Sequence, residues 1–131
     1  MNSKNQNYIL IVDDSETNNV LLEALLEDAG YTTRTALSAS EGWTAIHEQK
    51  PGLLLLDLLM PRISGFQMLD RLKAKKEFSD IPVVVVSALN EPDTIDTLMK
   101  AGAADFFAKP IDIKKIINRV KELVPLRTSD E

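Results

Sequence analysis

Short apolar runs alternate with helical patterns along the whole chain. Tyr8-Ile9-Leu10-Ile11-Val12 is unbroken and predicts a strand. A helix follows, with Val20, Leu22, Leu25, Leu26 and Ala29 inward and Gly30 at its C′ position. Thr32 to Ala36, rich in β-branched residues, predicts a second strand. Ser38 and Glu41 have capping-box spacing and open a helix through Trp43 and Ile46 that stops before Pro51. Leu53 to Leu56 is the third strand, and Ser64 with Gln67 opens a helix through Met68, Leu69 and Leu72. Val83 to Val86 is the fourth strand. Asn90 and Asp93 are placed to cap the next helix, with Pro92 in its first turn and Gly102 just past its end. Ala104 to Ala108 is the fifth strand, and Ile113, Ile116, Ile117, Val120 and Val124 stripe a last helix at helical spacing.

Five strand-helix units in alternation predict an α/β fold with a parallel sheet covered by helices on both faces. The unbroken LLLL and VVVV runs agree, since strands buried on both sides need no polar alternation. No repeat or internal linker breaks the 131 residues, which fit one domain over residues 7–124. Residues 1–6 and 125–131 are expected to be flexible tails.

Composition narrows the function classes. Hydrophobic residues make up 44% and charged residues 27%, as in an ordinary globule. With no cysteine, disulfides and thiolate metal sites are excluded. The start is polar, without the pattern of a signal peptide, and no apolar stretch approaches a membrane span. A cytoplasmic protein that does not engage membranes is expected. The formal charge of −5 opposes nucleic-acid binding. The clusters Lys73, Lys75, Lys76 and Lys114, Lys115, Arg119 read as solvated helix faces. The single histidine, His47, reads as a surface residue without a partner, and Trp43 as packed on the sheet.

The polar residues then fall in a pattern. The first strand ends in Asp13-Asp14, the third in Asp57, the fourth in Ser87 and the fifth in Lys109-Pro110. In a parallel sheet these carboxyl ends share one edge, where ligands bind and helix N-termini point. Two unit charges ~4 Å apart repel by about 4 kcal/mol at an effective dielectric of ~20, so three gathered carboxylates need an offset. Protonation, the Lys109 ammonium and a divalent cation are the three options. An all-oxygen ligand set suits Mg²⁺, with Mn²⁺ next and Ca²⁺ less apt. Asp57 is then a candidate nucleophile for an aspartyl-phosphate. Lys109, the Ser87 hydroxyl and the Ala88 N–H are candidates to receive phosphoryl oxygens.

Taken together, VDDS (12–15), LLLLDLLMPRISG (53–65), VVVVSA (83–88) and ADFFAKP (104–110) resemble the receiver domain of two-component response regulators. The resemblance implies a doubly wound, flavodoxin-like (βα)₅ fold with strand order 2-1-3-4-5. It implies phosphoryl transfer to Asp57 from a histidine kinase or phosphotransfer protein. Mg²⁺ would be held by Asp13, Asp14, Asp57 and the Leu59 carbonyl. Ser87 and Phe106 would form a switch pair, with Phe106 filling space that Ser87 vacates. The output face, residues 91–124, would be read by a downstream protein or output domain. The chain would be a signalling acceptor and not an enzyme, either a free-standing regulator or one piece of a longer protein.

Four positions depart from the family's commonest pattern. Leu59 replaces a residue often polar, Ser64 an acid, Ile111 a phenylalanine, and Phe106 a tyrosine. Met60-Pro61 reads as the turn beneath Asp57, and Gly65 as backbone freedom at a helix start. Individually the site residues have plain alternatives: Asp13, Asp14 or Ser15 as helix caps, Ser87 as a strand end, Lys109 as surface. Three other functions compete. They are an aspartyl-phosphate phosphatase, an interaction module that needs no phosphate, and a flavin site. The phosphatase reading lacks a cap domain. The interaction reading leaves the complete acid-Ser-Lys set unexplained. The flavin reading lacks a phosphate loop.

Overall fold

The computed structural model describes residues 8–59 and 64–126. Among them, five strands alternate with five helices: β1 (Ile9–Val12), α1 (Glu16–Asp28), β2 (Thr33–Ala36), α2 (Ala39–Glu48), β3 (Leu53–Leu56), α3 (Gly65–Ala74), β4 (Val83–Ser87), α4 (Pro92–Lys100), β5 (Asp105–Ala108) and α5 (Ile113–Leu123). All strand pairs are parallel and the order is β2-β1-β3-β4-β5. The fold is the doubly wound α/β sheet that the sequence pattern and the resemblance led us to expect.

Two apolar layers account for the continuous runs. Leu54, Leu56, Val83 and Val85 join Met68, Leu69 and Leu72 on one side of the sheet. Leu53, Leu55, Val84 and Val86 join Leu22, Leu26, Ile116 and Val120 on the other. Successive strand residues point to opposite faces, so only strands covered twice bury every position. β3 and β4 are buried throughout, whereas the edge strand β5 is half-buried along most of its length.

Register sets the site. Val12 pairs with both Ala36 and Leu56, so β2, β1 and β3 end level. The Asp57 N–H donates to the Val12 carbonyl at 2.9 Å, and the Lys109 N–H to the Ser87 carbonyl at 2.9 Å. The helices start where side chains cap them. Ser15, Ser38 and Asp112 accept from backbone N–H groups of α1, α2 and α5, and Ser64 with Gln67 makes the full reciprocal box on α3.

Several expectations are corrected. Val20 is 58% exposed, and the buried position beside it belongs to Asn19. The α1 stripe therefore runs through Asn19, Leu22 and Leu26. Neither Asn90 nor Asp93 caps α4. Glu91 is the N-cap, without a side-chain bond, because Pro92 at the helix start presets the backbone and presents no N–H to satisfy. On α2, Glu41 accepts from the Leu37 N–H and not from Ser38, so the box is only half formed. Ile113 is exposed at the start of α5. Lys73 is half-buried, with Nζ donating to the Ser79 and Ile81 carbonyls, and desolvation lowers its pKa. Arg119 pairs with Asp105 at 2.8 Å and Glu122 at 3.0 Å. His47 is exposed but has partners. Spacing of four residues sets it beside Trp43 at 5.7 Å, and Phe78 meets its ring edge-on at 5.3 Å. Trp43 itself packs against the first apolar layer, as expected.

The Met60-Pro61 turn lies outside the described residues, as do the expected tails apart from Pro125 and Leu126. The following Gly65 is held tightly. Its N–H donates to the Leu58 carbonyl at 3.0 Å. A Cβ there would stand 2.5 Å from the Asp57 carbonyl oxygen and 2.7 Å from the Leu58 Cα. Gly65→Ala is expected to lower unfolding free energy by roughly 1–3 kcal/mol, the usual cost of overpacking, in urea denaturation. Unchanged stability would show that α3 can move away at no cost.

Candidate functional site

The ends of β1 and β3 bring Asp13, Asp14 and Asp57 together. One carboxylate oxygen from each lies within 4.8 Å of the others. Asp13 and Asp57 are buried, at 4% and 5% exposure, while Asp14 faces solvent. From the end of β5, Lys109 reaches in. Its Nζ is 3.2 Å from Asp13 Oδ2 and 3.8 Å from Asp57 Oδ2. Three carboxylates against one ammonium leave two negative charges when all are ionised.

The two buried acids are held very differently. Asp13 Oδ1 accepts from the Ser15 N–H at 2.9 Å, and Oδ2 accepts from Asn18 Nδ2 at 3.3 Å as well as from Lys109. Among the described residues Asp57 has one long hydrogen bond, from the Leu59 N–H to Oδ1 at 3.3 Å. Burial therefore raises the Asp57 pKa to about 6, and the Asp13 charge adds to the rise. Lys109 and the Leu59 N–H oppose it without cancelling it. Of the two buried acids, Asp57 is thus the one whose negative charge is less compensated by the protein.

The donor set fits a divalent cation. The oxygens are close enough to share one ion, no nitrogen or sulfur ligand is among them, and two charges of the right sign are left over. Asp14 makes no hydrogen bond or ion pair among the described residues, so its oxygens are free to coordinate.

The other predicted residues sit around this centre without all touching it. Ser87 is fully buried at the end of β4, and its Oγ accepts from the Leu89 N–H at 3.1 Å. Ala88 follows it, exposed. The Leu59 side chain is 53% exposed, and only its backbone N–H bonds Asp57 among the described residues. Phe106 lies deeper, half-buried against the first apolar layer and in register with Val85. Because Val85 and Ser87 are two residues apart, Phe106 and Ser87 share one face of the sheet.

Ser15 caps α1, as one reading of the sequence had it, and its N–H also supports Asp13; the polar support from Asn18 and Asn19 on α1 was missed. Asn19 Nδ2 donates to the Asp13 carbonyl at 3.0 Å and to the Ala36 carbonyl at 3.2 Å. The signal was present, as two consecutive asparagines within six residues of the acid pair, one of them on the inward face of the helix.

Comparisons with known proteins show the family and the fold. A family model described as the response regulator receiver domain matches residues 9–121. Sporulation initiation phosphotransferase F of Bacillus subtilis is 35% identical over 121 residues, which cover 92% of this chain and 96% of that protein. The DNA-binding dual master transcriptional regulator RpaA of Synechocystis is 34% identical over 122 residues, 93% of this chain. The chain spans only about half the length of that relative, 50%. The crystal structure of the signal receiver domain of a signal transduction histidine kinase from Syntrophus aciditrophicus matches with a TM-score of 0.83 at 31% identity, covering 95% of this chain and 96% of that one.

The raised Asp57 pKa has a measurable consequence. The folded state holds this proton more tightly than the unfolded chain, whose carboxylate titrates near the ordinary 3.8. The stability it contributes is full below about pH 4 and is lost as pH rises through about 6. With divalent cations chelated, Asp57→Asn is expected to remove that loss. At pH 7 the gain is up to roughly 3 kcal/mol, from two pKa units at about 1.4 each. Parallel stability-versus-pH curves for the two proteins would show that Asp57 is not under this strain.

Proposed function

Because the chain belongs to the response regulator receiver domain family of two-component signalling, we propose that it takes a phosphoryl group on Asp57 from a phosphohistidine of a histidine kinase or phosphotransfer protein. The observation that carries this reading is the buried Asp57 at the end of a central strand, with two further carboxylates within 4.8 Å and the Lys109 ammonium at 3.8 Å. A carboxylate so placed is a desolvated nucleophile with cationic help at hand.

One Asp57 oxygen attacks phosphorus as the phosphorus–nitrogen bond of the donor breaks. The electron pair leaves with the imidazole, which takes up a proton. Asp13, Asp14, Asp57 and the Leu59 carbonyl would hold Mg²⁺, or Mn²⁺, which when bound neutralises the carboxylates and phosphoryl oxygens. Lys109, already salt-bridged to Asp13, swings its ammonium onto a phosphoryl oxygen. The Ser87 hydroxyl and Ala88 N–H take the others. Among the described residues Ser87 Oγ only accepts, from the Leu89 N–H, so its own proton remains available to donate.

Phe106 then fills the space that Ser87 leaves, the two lying on one face of the sheet. The change is read on α4, β5 and α5 by a downstream protein or a covalently linked output domain. Apolar Met99 and Ile113, 42% and 39% exposed on those helices, support a protein-binding face. The chain acts in the cytoplasm as a phosphoacceptor and binds neither nucleic acid nor membrane itself. No helix among the described residues is long and apolar enough to cross a membrane.

Incubation with acetyl phosphate and Mg²⁺ is expected to add one phosphoryl group per chain by mass spectrometry. The addition disappears in Asp57→Asn and with chelator. Lys109→Ala is expected to slow it by roughly 10²-fold, as for loss of one transition-state donor. Sustained turnover of a generic phosphomonoester by the wild type would instead make the chain a phosphatase.

Leu59 gives a second test. Its side chain cannot hydrogen-bond, so it cannot orient a water for attack on the phosphoryl group. Leu59→Asn is expected to hydrolyse the phosphorylated form faster than wild type. Equal decay rates would remove Leu59 from the account of phosphoryl lifetime.

A further inference from the structure

Asn19 is an uneconomical residue for its position. It is 2% exposed on the inward face of α1, where Leu22 and Leu26 continue the buried stripe. Its Oδ1 is buried without a hydrogen-bond partner. Burying an unpaired acceptor destabilises a protein, and an apolar side chain here would avoid that. What the amide does provide is a clamp. Nδ2 donates to the Asp13 carbonyl at 3.0 Å and to the Ala36 carbonyl at 3.2 Å. The Ala36 carbonyl also accepts from the Asp13 N–H at 3.1 Å. Flipping the amide would set Oδ1 against both carbonyl oxygens, so the donor assignment is fixed by the site itself.

The Asp13 carbonyl belongs to the peptide that joins Asp13 to Asp14. Its orientation sets the backbone from which the Asp14 side chain departs. Asp13 has other supports, from Ser15 and Asn18 at its carboxylate. The exposed Asp14 side chain has none among the described residues, so the clamp acts on the backbone that carries it. We infer that Asn19 is a positioning residue for the acid pair: by tying the ends of β1 and β2 to α1 through the Asp13 and Ala36 carbonyls, it holds Asp13 and Asp14 in a cation-binding arrangement before the cation arrives. The inference rests on the proposed cation-dependent chemistry but concerns affinity, which is measured separately. Partners that orient metal ligands without touching the metal are commonly worth 10–100-fold in affinity.

The test compares wild type with Asn19→Leu, which keeps the volume and removes the donor, and with Asn19→Ser, which is too short to reach both carbonyls. Mg²⁺ alone is titrated by calorimetry. The Asn19 side-chain amide signals of the wild type are followed by NMR in the same titration. Both variants are expected to bind Mg²⁺ about 10-fold or more weakly. The Mg²⁺ concentration for half-maximal phosphorylation should rise with it, while the limiting rate at saturating Mg²⁺ falls much less. The Asn19 amide signals should shift with the same midpoint as the Asp14 backbone amide. A residue that only stabilised the fold would lower the urea midpoint and leave Mg²⁺ affinity alone, and folded variants with wild-type affinity overturn the inference. Should neither variant fold, unmoved Asn19 amide signals in a wild type that binds Mg²⁺ overturn it equally. A wild type that binds Mg²⁺ but takes no phosphoryl group sinks the proposed function instead, and the affinity comparison still decides Asn19.

Discussion

Mutual repulsion among three carboxylates is the constraint around which this molecule is arranged. Asp13, Asp14 and Asp57 come within 4.8 Å of one another because β1 and β3 are neighbours and end level. The sheet is stable enough to impose that juxtaposition. Its central strands bury every side chain, in two separate apolar layers, and neither layer can be rearranged without exposing leucine and valine to water. The repulsion is then distributed unequally. Among the described residues Asp13 collects an ammonium, a backbone N–H and an amide, and Asp57 is left with one long hydrogen bond and the same ammonium at 3.8 Å. An acid buried yet poorly satisfied is poised to gain from whatever neutralises it.

The same inequality separates scaffold from chemistry. Lys109 stands nearer to Asp13 than to Asp57, and α1 contributes its first turns to Asp13. These contacts fix a frame around Asp57 without consuming its oxygens. Ser87 belongs to the frame as well, buried and bonded to its own loop. Phe106 lies deeper, where a change at the end of β4 has a packed ring to act upon.

Much of this was legible in the sequence, and the failures have physical causes. The strands were readable because runs such as LLLL and VVVV are buried on both faces, which no other short element requires. The acids were readable because each one terminates a run, and parallel strands gather their ends. Helix faces were harder. Val20 looked inward by hydrophobicity, yet Asn19 is the buried residue, because its amide has two carbonyls to satisfy at the end of the sheet. A periodicity argument counts apolar residues and cannot see a polar one with a buried task. The α4 start failed for a related reason: Asn90 and Asp93 have the right chemistry, but Pro92 shifts the helix start to a residue whose side chain does not cap. Of the partners of His47, Trp43 was within reach of helical spacing, but Phe78 was invisible because it comes from a turn whose path no local pattern reveals.

The absent Cβ at Gly65 has a mechanical corollary. With the Asp57 carbonyl and the Leu58 backbone directly against that position, the first turn of α3 already rests on the segment that leaves β3 and carries Asp57. It has no slack in that direction and acts as a rigid stop.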